Sequence, residues 1–217
     1  MSNSIKVDIW SDIACPWCFI GKRKFETAIA GFPSDVDIEY HSFELAPDTP
    51  ADFEGSEADY LARHKGVAPA QSQAMLSNVA GIAETVGLHY DFDALHHTST
   101  VKVHQLVHYA KAQGAQVDMK ERLLRAYFED GRHLGHLDVL ADIGAEAGFD
   151  RADVLRSLEA DEFLADVRAD QAQAVEYGIN GVPFFVFQSK YGVSGAQDPA
   201  VFRDVLDTVA AEAEAAS

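Results

Sequence analysis

The sequence predicts an α/β protein in which a central mixed sheet of about four strands carries a large all-helical insertion. Apolar and polar residues alternate over residues 5–10 and 36–44, a pattern typical of strands. Two short strands are predicted near the other end of the chain, at 184–187 and 191–194. Between the two ends, residues 56–160 carry apolar side chains at helical spacing. Strands at both ends of the chain imply that the two halves meet in one sheet.

The first elements form a predicted β-α-β unit. Ile5, Val7 and Ile9 share one face of the first strand, because side chains alternate along a strand. A helix is expected to begin at about Cys15 and to end near Gly31. The second strand follows, so the two strands should be parallel with a right-handed crossover.

The middle of the chain predicts five helices, each with an apolar stripe that should face a core. Glycines at 87, 114 and 148 close three of these helices. The stripes comprise Met75, Val79, Ile82 and Val86; Leu106, Val107 and Ala110; Leu123, Leu124, Tyr127 and Phe128; Leu137, Leu140 and Ile143; and Val154, Leu155 and Leu158.

The last elements are a helix over 161–177, the two short strands and a final helix. The continuous apolar run at 184–187 is typical of a buried strand, and 191–194 is expected to pair with it as a hairpin. Asp198 and Pro199 supply an N-cap and a first-turn proline for the final helix.

This order of elements predicts two domains. Residues 1–50 and 161–217 would form one discontinuous sheet-containing domain, and residues 51–160 would form the helical insertion. The insertion should form a cap beside the first helix, with a groove between cap and sheet.

Composition limits the classes of function. The chain has 217 residues, 47% of them hydrophobic, and its formal charge of −18 follows from 17 basic and 35 acidic residues. Nucleic-acid binding is not expected, because phosphate recognition relies on clustered Lys and Arg. No apolar run is long enough to span a membrane and no secretory signal is visible, so the expected location is the cytoplasm. Either a monomer or a homodimer is compatible with the sequence.

The two cysteines of the chain lie in one motif, Cys15-Pro16-Trp17-Cys18, between the first strand and the first helix. A pair at this spacing can cycle between a dithiol and a disulfide, and a strand followed by CxxC and a helix is typical of thioredoxin-like redox proteins. Cys15 should lie at the helix start, where the helix dipole favours a thiolate, and it should face the solvent. Cys18, one turn further on, should be more buried.

A zinc site is the main alternative for this motif. Structural zinc requires four ligands, and the nearest candidate partners for Cys15 and Cys18 are His104 and His108. No second CxxC, nucleotide-binding or flavin-binding pattern is present, so we predict no metal and no cofactor.

The CPWC motif, the following Phe19-Ile20-Gly21-Lys22 and the segment Gly181-Val182-Pro183-Phe184-Phe185 together resemble the DsbA-like thioredoxin-fold family, and most closely its cytoplasmic FrnE-type branch. The resemblance extends over nearly the whole chain and implies a thioredoxin-like fold. It also implies a cis peptide bond between Val182 and Pro183, facing the CxxC motif.

Further site residues follow from the same resemblance. Val182, Pro183 and Phe184 would help to bind the substrate, with the Val182 backbone available to pair with it. Residues 98–105, with Thr100 and His104, resemble a segment that lines the thiol-ligand site in glutathione-dependent relatives. This segment departs from the pattern of the branch at Ser99, Val103 and Gln105.

Three functions remain open at this point. The first is a thiol–disulfide oxidoreductase or isomerase, with Cys15 as nucleophile and Cys18 as resolving cysteine, acting on a disulfide-containing protein or a small thiol. The second is a glutathione-dependent transferase or isomerase. The third is a redox-sensing module without turnover. The presence of Cys18 favours the first, because the transferase relatives need only one reactive group.

Overall fold

The computed structural model describes residues 4–215. Four strands and nine helices lie within this range. The first three elements are β1 (Ile5–Ser11), α1 (Pro16–Ile29) and β2 (Val36–Ser42). Six helices follow: α2 (Glu57–Lys65), α3 (Pro69–Glu84), α4 (Val101–Ala112), α5 (Gln116–Phe128), α6 (Leu137–Glu146) and α7 (Arg151–Glu159). The chain ends with α8 (Leu164–Glu176), β3 (Phe184–Phe187), β4 (Tyr191–Ser194) and α9 (Pro199–Ala215).

The strands form one mixed sheet in the order β2-β1-β3-β4. β1 pairs in parallel with β2, where Val7 lies opposite Ile38, and in antiparallel with β3, where Ile9 lies opposite Phe185. β3 and β4 form the predicted hairpin. The two ends of the chain therefore meet in one sheet, as the sequence predicted.

Helices cover the sheet on both faces. On one face, α1 and α9 pack against a core that includes Val7, Ile9, Phe25, Phe187 and Phe202. On the opposite face, α8 covers a smaller cluster that contains Trp10, Ala174 and Val186. The alternation of side chains along β1 distributes its residues between these two cores.

The helical segment has its own core, formed mainly by α4, α5, α6 and α7. Phe19 and Ile20 of α1 are fully buried in the same core, so the segment is packed directly against the start of the first helix. The Gln116 side chain also exchanges hydrogen bonds with the backbone of Tyr40 in β2, at 2.9 and 2.8 Å. The division at residues 51 and 160 into two domains stays a prediction.

Four details differ from the sequence expectations. The middle of the chain contains six helices rather than five, because α2 has no counterpart among the predicted stripes. β2 ends at Ser42, two residues early, and the predicted 161–177 helix begins only at Leu164, because Asp161 adopts a left-handed conformation with φ of 54°. Met75 is 38% exposed, so the α3 stripe was assigned wrongly at that position. Leu76 and Ala83 are buried instead. No helix within residues 4–215 is both long and apolar enough to cross a membrane.

Candidate active site

The CPWC motif begins in the connection between β1 and α1 and continues into the first turn of α1. Cys15 is the N-cap residue of α1, with an extended backbone conformation, and Pro16 occupies the first turn, where its missing N–H costs no hydrogen bond. The Cys15 thiol donates a hydrogen bond of 3.4 Å to the carbonyl oxygen of Val182. The carbonyl of Pro16 accepts one of 2.7 Å from the hydroxyl of Tyr90. The motif is thus held both by the turn before β3 and by the helical segment.

The two cysteines are free thiols that lie 3.5 Å apart. Each is only 3% exposed, so the expectation that Cys15 faces the solvent more than Cys18 was wrong. Trp17, between them, is the exposed member of the motif at 38%. Because Cys15 and Cys18 are equally buried, access to their sulfurs depends on which of them borders the neighbouring cavity.

A cavity of about 280 Å³ opens beside Cys15. Its walls come from the CPWC region, the loop after β2, helices α2 and α3, and the segment before α4. The lining residues are Asp12, Ala14, Cys15, Pro16, Trp17, Leu45, Ala46, Thr49, Glu57, Tyr60, Leu61, His64, Lys65, Met75, Leu76, Val79, His97, Thr98 and Thr100. Cys15 is part of this wall and Cys18 is not among the lining residues, so a ligand in the cavity meets Cys15 first.

The segment predicted to face the motif is present, with a cis peptide bond between Val182 and Pro183 as the sequence indicated. Pro183 packs closely on α1: a Cβ at Gly21 would lie 2.8 Å from its ring, so only glycine fits there. The Val182 carbonyl contacts Cys15. Phe184 instead packs against the cluster that contains Trp10, on the face of the sheet that α8 covers. It is not among the residues that line the cavity.

Asp12 connects the motif to the predicted Thr100–His104 segment. Its buried carboxylate accepts hydrogen bonds from the Leu45 N–H at 2.8 Å and from His104 Nε2 at 3.2 Å. Burial alone would raise the pKa of Asp12, but the hydrogen bonds and charge of His104 and the Leu45 N–H lower it. Thr100 lines the cavity, whereas His104 is 1% exposed and acts through Asp12. Thr100 shares the cavity wall with other side chains of the helical segment, among them Glu57, Tyr60 and His97, so neither Thr100 nor His104 is set apart as the side chain nearest the groove.

The pKa values of the two thiols are shifted in opposite directions. The hydrogen bond with Cys18, together with burial, raises the pKa of Cys15. Burial would also raise the pKa of Cys18, but the Cys15 thiol, the Ser11 hydroxyl and the charge of Lys120 outweigh it and lower that pKa. This reverses the sequence expectation that the helix start would place the first negative charge on Cys15.

Lys120 is a buried cation behind the motif. Its side chain is 1% exposed, its Nζ donates a hydrogen bond of 3.3 Å to the Ser11 carbonyl, and it lies 5.5 Å from the centre of the Tyr40 ring. Burial lowers the pKa of Lys120 to about 8, although the nearby negative charges of Cys18 and Asp12 oppose that shift. An amine with this pKa can hold or release a proton at neutral pH.

A second polar group lies in the wall of the cavity. His97 Nδ1 is 2.8 Å from Glu57 Oε2, and the imidazole stacks on Tyr60 with the ring centres 3.4 Å apart. Among residues 4–215 no atom is within hydrogen-bonding distance of the buried His97 Nε2. Because buried polar atoms are nearly always paired, this nitrogen is a point where a water molecule or a ligand group would be stabilised.

The sheet order, the helix that follows the CPWC motif and the facing Val182–Pro183 turn define a thioredoxin-fold protein with a dithiol site. Residues 6–207 match the family described as DSBA-like thioredoxin domain, so the chain belongs to that family. This membership supports thiol–disulfide oxidoreductase or related isomerase activity.

Solved structures agree with this assignment. A probable DsbA oxidoreductase from Streptomyces coelicolor is 38% identical, with a TM-score of 0.89 over 96% of this chain and 91% of its own. The cytosolic disulfide reductase DsbM from Pseudomonas aeruginosa shares the fold at 19% identity (TM-score 0.66, 94% and 97% coverage), and it has also been solved with GSH. A 2-hydroxychromene-2-carboxylate isomerase shares the fold at 14% identity, with a TM-score of 0.76 and coverage of 98% and 99%.

Sequence reasoning missed four residues of the site. Lys120 lies four residues before Leu124 and three before Leu123, so its position on the buried stripe of α5 was a readable signal. Asp12 precedes Cys15 by three residues, which places it beside the motif, but nothing in the sequence indicates that it pairs with His104. Glu57 and His97 are 40 positions apart in sequence, and no local pattern indicates that they pair.

Proposed function

We propose that this chain is a thiol–disulfide oxidoreductase in which Cys15 exchanges with the substrate and Cys18 resolves the mixed disulfide. The observation that carries this assignment is the asymmetry of access: Cys15 lines the cavity, and Cys18 lies 3.5 Å from it without lining the cavity. A substrate sulfur in the cavity can therefore be attacked by Cys15, and Cys18 is close enough to attack Cys15 in turn.

The first step needs a thiolate on Cys15, although the lower pKa belongs to Cys18. When Cys18 is the thiolate, the Cys15 S–H can turn from the Val182 carbonyl to the Cys18 sulfur, 3.5 Å away, and Cys18 takes the proton as Cys15 attacks. The Cys15 sulfur then forms a bond to one substrate sulfur, the substrate S–S bond breaks, and the second substrate sulfur leaves as a thiolate. One electron pair moves from the protein to the leaving group.

The second step needs Cys18 to lose that proton again. Lys120, with its pKa lowered to about 8, lies close enough for its charge to act on Cys18, and in its neutral form it can accept the proton. The Cys18 thiolate attacks Cys15, the mixed disulfide breaks, and the reduced substrate leaves. The Cys15–Cys18 disulfide then needs a dithiol or two monothiols to return to the reduced form.

The cavity indicates the class of substrate. Its volume of about 280 Å³ is at the small end of small-molecule sites, which suits a low-molecular-weight disulfide or an extended cysteine-containing peptide segment. Tyr60, Leu61 and Met75 supply apolar contact, and His97 Nε2 offers a polar one. The glutathione complex of the Pseudomonas relative makes glutathione disulfide the first compound to test.

The experiment measures turnover with glutathione disulfide and with insulin, using a dithiol as the electron donor. We expect Cys15→Ser to abolish both activities, and Cys18→Ser to accumulate a mixed disulfide that intact-protein mass spectrometry detects. Thr208→Ala, which removes an exposed hydroxyl on α9, is the control and should turn over at the wild-type rate. Unchanged turnover in Cys18→Ser would rule out the two-cysteine mechanism. No disulfide turnover in the wild-type chain would rule out the oxidoreductase and leave the isomerase and the redox-sensing role.

The alternative function is a glutathione-dependent isomerase, the activity class suggested by one structural neighbour of the same fold. The buried Cys18 beside Cys15 has no role in such a reaction. Titration calorimetry with reduced glutathione separates the two functions. Tight binding that survives in Cys15→Ser, without any disulfide turnover, would favour the isomerase.

A further inference from the structure

A group of histidines and one aspartate lies outside the cavity, at a point where three loops meet. Asp52 comes from the loop between β2 and α2, and His133 and His136 come from the loop between α5 and α6. His96, in the segment before α4, stacks on His133 with the ring centres 4.9 Å apart. None of these residues takes part in the thiol chemistry described above.

The nitrogen atoms of this group converge on one carboxylate oxygen. His136 Nε2 lies 2.8 Å and His133 Nε2 lies 3.4 Å from Asp52 Oδ1. The His133 and His136 rings stack at 4.1 Å, and the three ligand atoms all lie within 4.8 Å of one another. In a tetrahedral zinc site, neighbouring N and O ligands are about 3.3 Å apart, so small side-chain rotations bring this set to metal-binding geometry.

Exposure permits those rotations and the entry of an ion. The Asp52 and His136 side chains are 74% and 49% exposed, whereas His133 is more buried, at 21%, and forms the fixed side of the group. Two histidines and one carboxylate leave coordination positions open for water.

The second group of this kind in the described part of the chain does not offer the same opportunity. Asp8, Glu39 and His41 also lie within metal-binding distance of one another. There, however, the ammonium of Lys6 lies 3.1 Å from Asp8 and 2.9 Å from Glu39 and already supplies the positive charge.

We propose that Asp52, His133 and His136 bind one divalent transition-metal ion of the Zn²⁺ type through two imidazole nitrogens and one carboxylate oxygen. Imidazole nitrogen with a single carboxylate selects zinc and its first-row neighbours over Mg²⁺ and Ca²⁺, which prefer all-oxygen sites. The bound ion would join the loop after β2 to the loop before α6.

Metal binding has a defined proton balance in this group. In the metal-free protein both Nε2 atoms face the carboxylate, and His133 Nδ1 accepts a hydrogen bond of 3.2 Å from the Gly135 N–H. When the ion binds to Nε2, each neutral imidazole moves its proton to Nδ1. The Gly135 N–H then loses His133 Nδ1 as its acceptor, and the loss of this part-buried hydrogen bond is a cost that coordination of the ion must offset.

Two hydrogen bonds connect the proposed metal site to the wall of the cavity. The carbonyl of Ala51, next to Asp52, accepts a hydrogen bond of 2.5 Å from the Thr98 hydroxyl, and the carbonyl of Pro50 accepts one of 3.1 Å from the Ser99 N–H. Thr98 lines the cavity. An ion at Asp52 would therefore hold the loop that supports this wall.

The test is titration calorimetry of the tag-free, full-length chain with ZnCl₂, after oxidation of the cysteines so that Cys15 and Cys18 do not compete for the ion. We expect saturable binding of one equivalent. Asp52→Asn, His133→Ala and His136→Ala should each weaken it by at least about tenfold. His89→Ala, which removes an exposed histidine outside the group, is the matched control and should bind as the wild type does.

Nitrogen NMR of the wild-type histidine side chains provides a second test that needs no variant. Zn²⁺ should shift the His133 and His136 Nε2 resonances and leave those of His89 unchanged. No saturable binding at millimolar Zn²⁺, equal weakening in His89→Ala, or shifts confined to other histidines would each overturn the proposal.

Discussion

Lys120 and His41 are both buried bases beside the sheet, yet their surroundings move their pKa values in opposite directions. Lys120 has one neutral hydrogen-bond acceptor, the Ser11 carbonyl, and burial lowers its pKa to about 8. His41 lies between two carboxylates, 2.8 Å from Asp170 and 2.8 Å from Asp8. Burial would lower its pKa too, but these carboxylates raise it to about 9.

The pKa values of Lys120 and His41 shift in opposite directions because their partners differ, not because one is buried more deeply. Desolvation disfavours the charged form at both positions, and only paired carboxylates overcome it. His41, Asp8 and Asp170, here called the His41 group, have further partners. Asp170 also accepts a hydrogen bond from the Ser42 N–H and lies 2.9 Å from His108. We infer that the His41 group contributes stability and that the undersatisfied Lys120 is the one available for proton transfer.

The largest expected effect is on stability, in His41→Asn. Asp8 keeps the ammonium of Lys6 as a partner, but the buried Asp170 carboxylate loses the His41 cation, and breaking a buried ion pair typically costs about 3–5 kcal/mol. The pKa of His41 is raised on folding, so its contribution is fully present below about pH 6.5 and is lost as the pH rises through about 9. Denaturant unfolding of wild type and variant across that interval measures the difference, in which the titration of Lys120 cancels. A difference that grows with pH would contradict this interpretation.

The next effect concerns Lys120→Met. Without the lysine, the thiol pair loses a buried cation whose charge lowers the pKa of Cys18, so that pKa should rise. Cys18 then accepts the Cys15 proton less readily at neutral pH, and alkylation of Cys15 should slow by roughly tenfold. Stability should not fall below that of the wild type, because a buried charge is removed. Lys111→Met, which removes an exposed lysine on α4 that pairs with Glu39, is the control. Equal alkylation rates in Lys120→Met and wild type would remove Lys120 from the mechanism.

The smallest effect is expected for Asp12→Asn, and its sign is the opposite. The Asp12 charge raises the pKa of Cys15, so its removal should speed alkylation, by roughly twofold to threefold. The amide that replaces the carboxylate is uncharged whichever hydrogen bonds it makes, so the electrostatic change has a defined sign. The same alkylation assay, normalised to circular dichroism of the folded chain, checks this outcome. Slower alkylation would show that Asp12 acts mainly by positioning the loop of Leu45.

The sequence was sufficient for features that have a local signature. The four strands, the position of Cys15 at the start of α1 and the Val182–Pro183 turn follow from alternation, spacing and the resemblance to the family. The assignment of α3 failed at Met75, because its stripe is compatible with two neighbouring faces and only the packed structure selects one.

Features that depend on long-range packing were not predictable in the same way. Helix polarity suggested a thiolate at Cys15, but the hydrogen bonds that Cys15 and Ser11 make to Cys18, together with the charge of Lys120 more than 100 residues away in sequence, lower the pKa of Cys18 instead. The His133-x-x-His136 spacing is visible in the sequence. Its partner Asp52 is distant in the chain, so the group becomes apparent only in three dimensions.

The hydrogen bond from the Cys15 thiol to the Val182 carbonyl has a thermodynamic consequence. Only the reduced chain has that donor, so oxidation leaves the carbonyl available to an N–H of a bound partner. A partner that uses this acceptor binds the oxidised chain more tightly than the reduced chain. By linkage, the same partner stabilises the disulfide and lowers the reduction potential while it remains bound. For such a partner, binding and electron transfer would be coupled through one backbone oxygen.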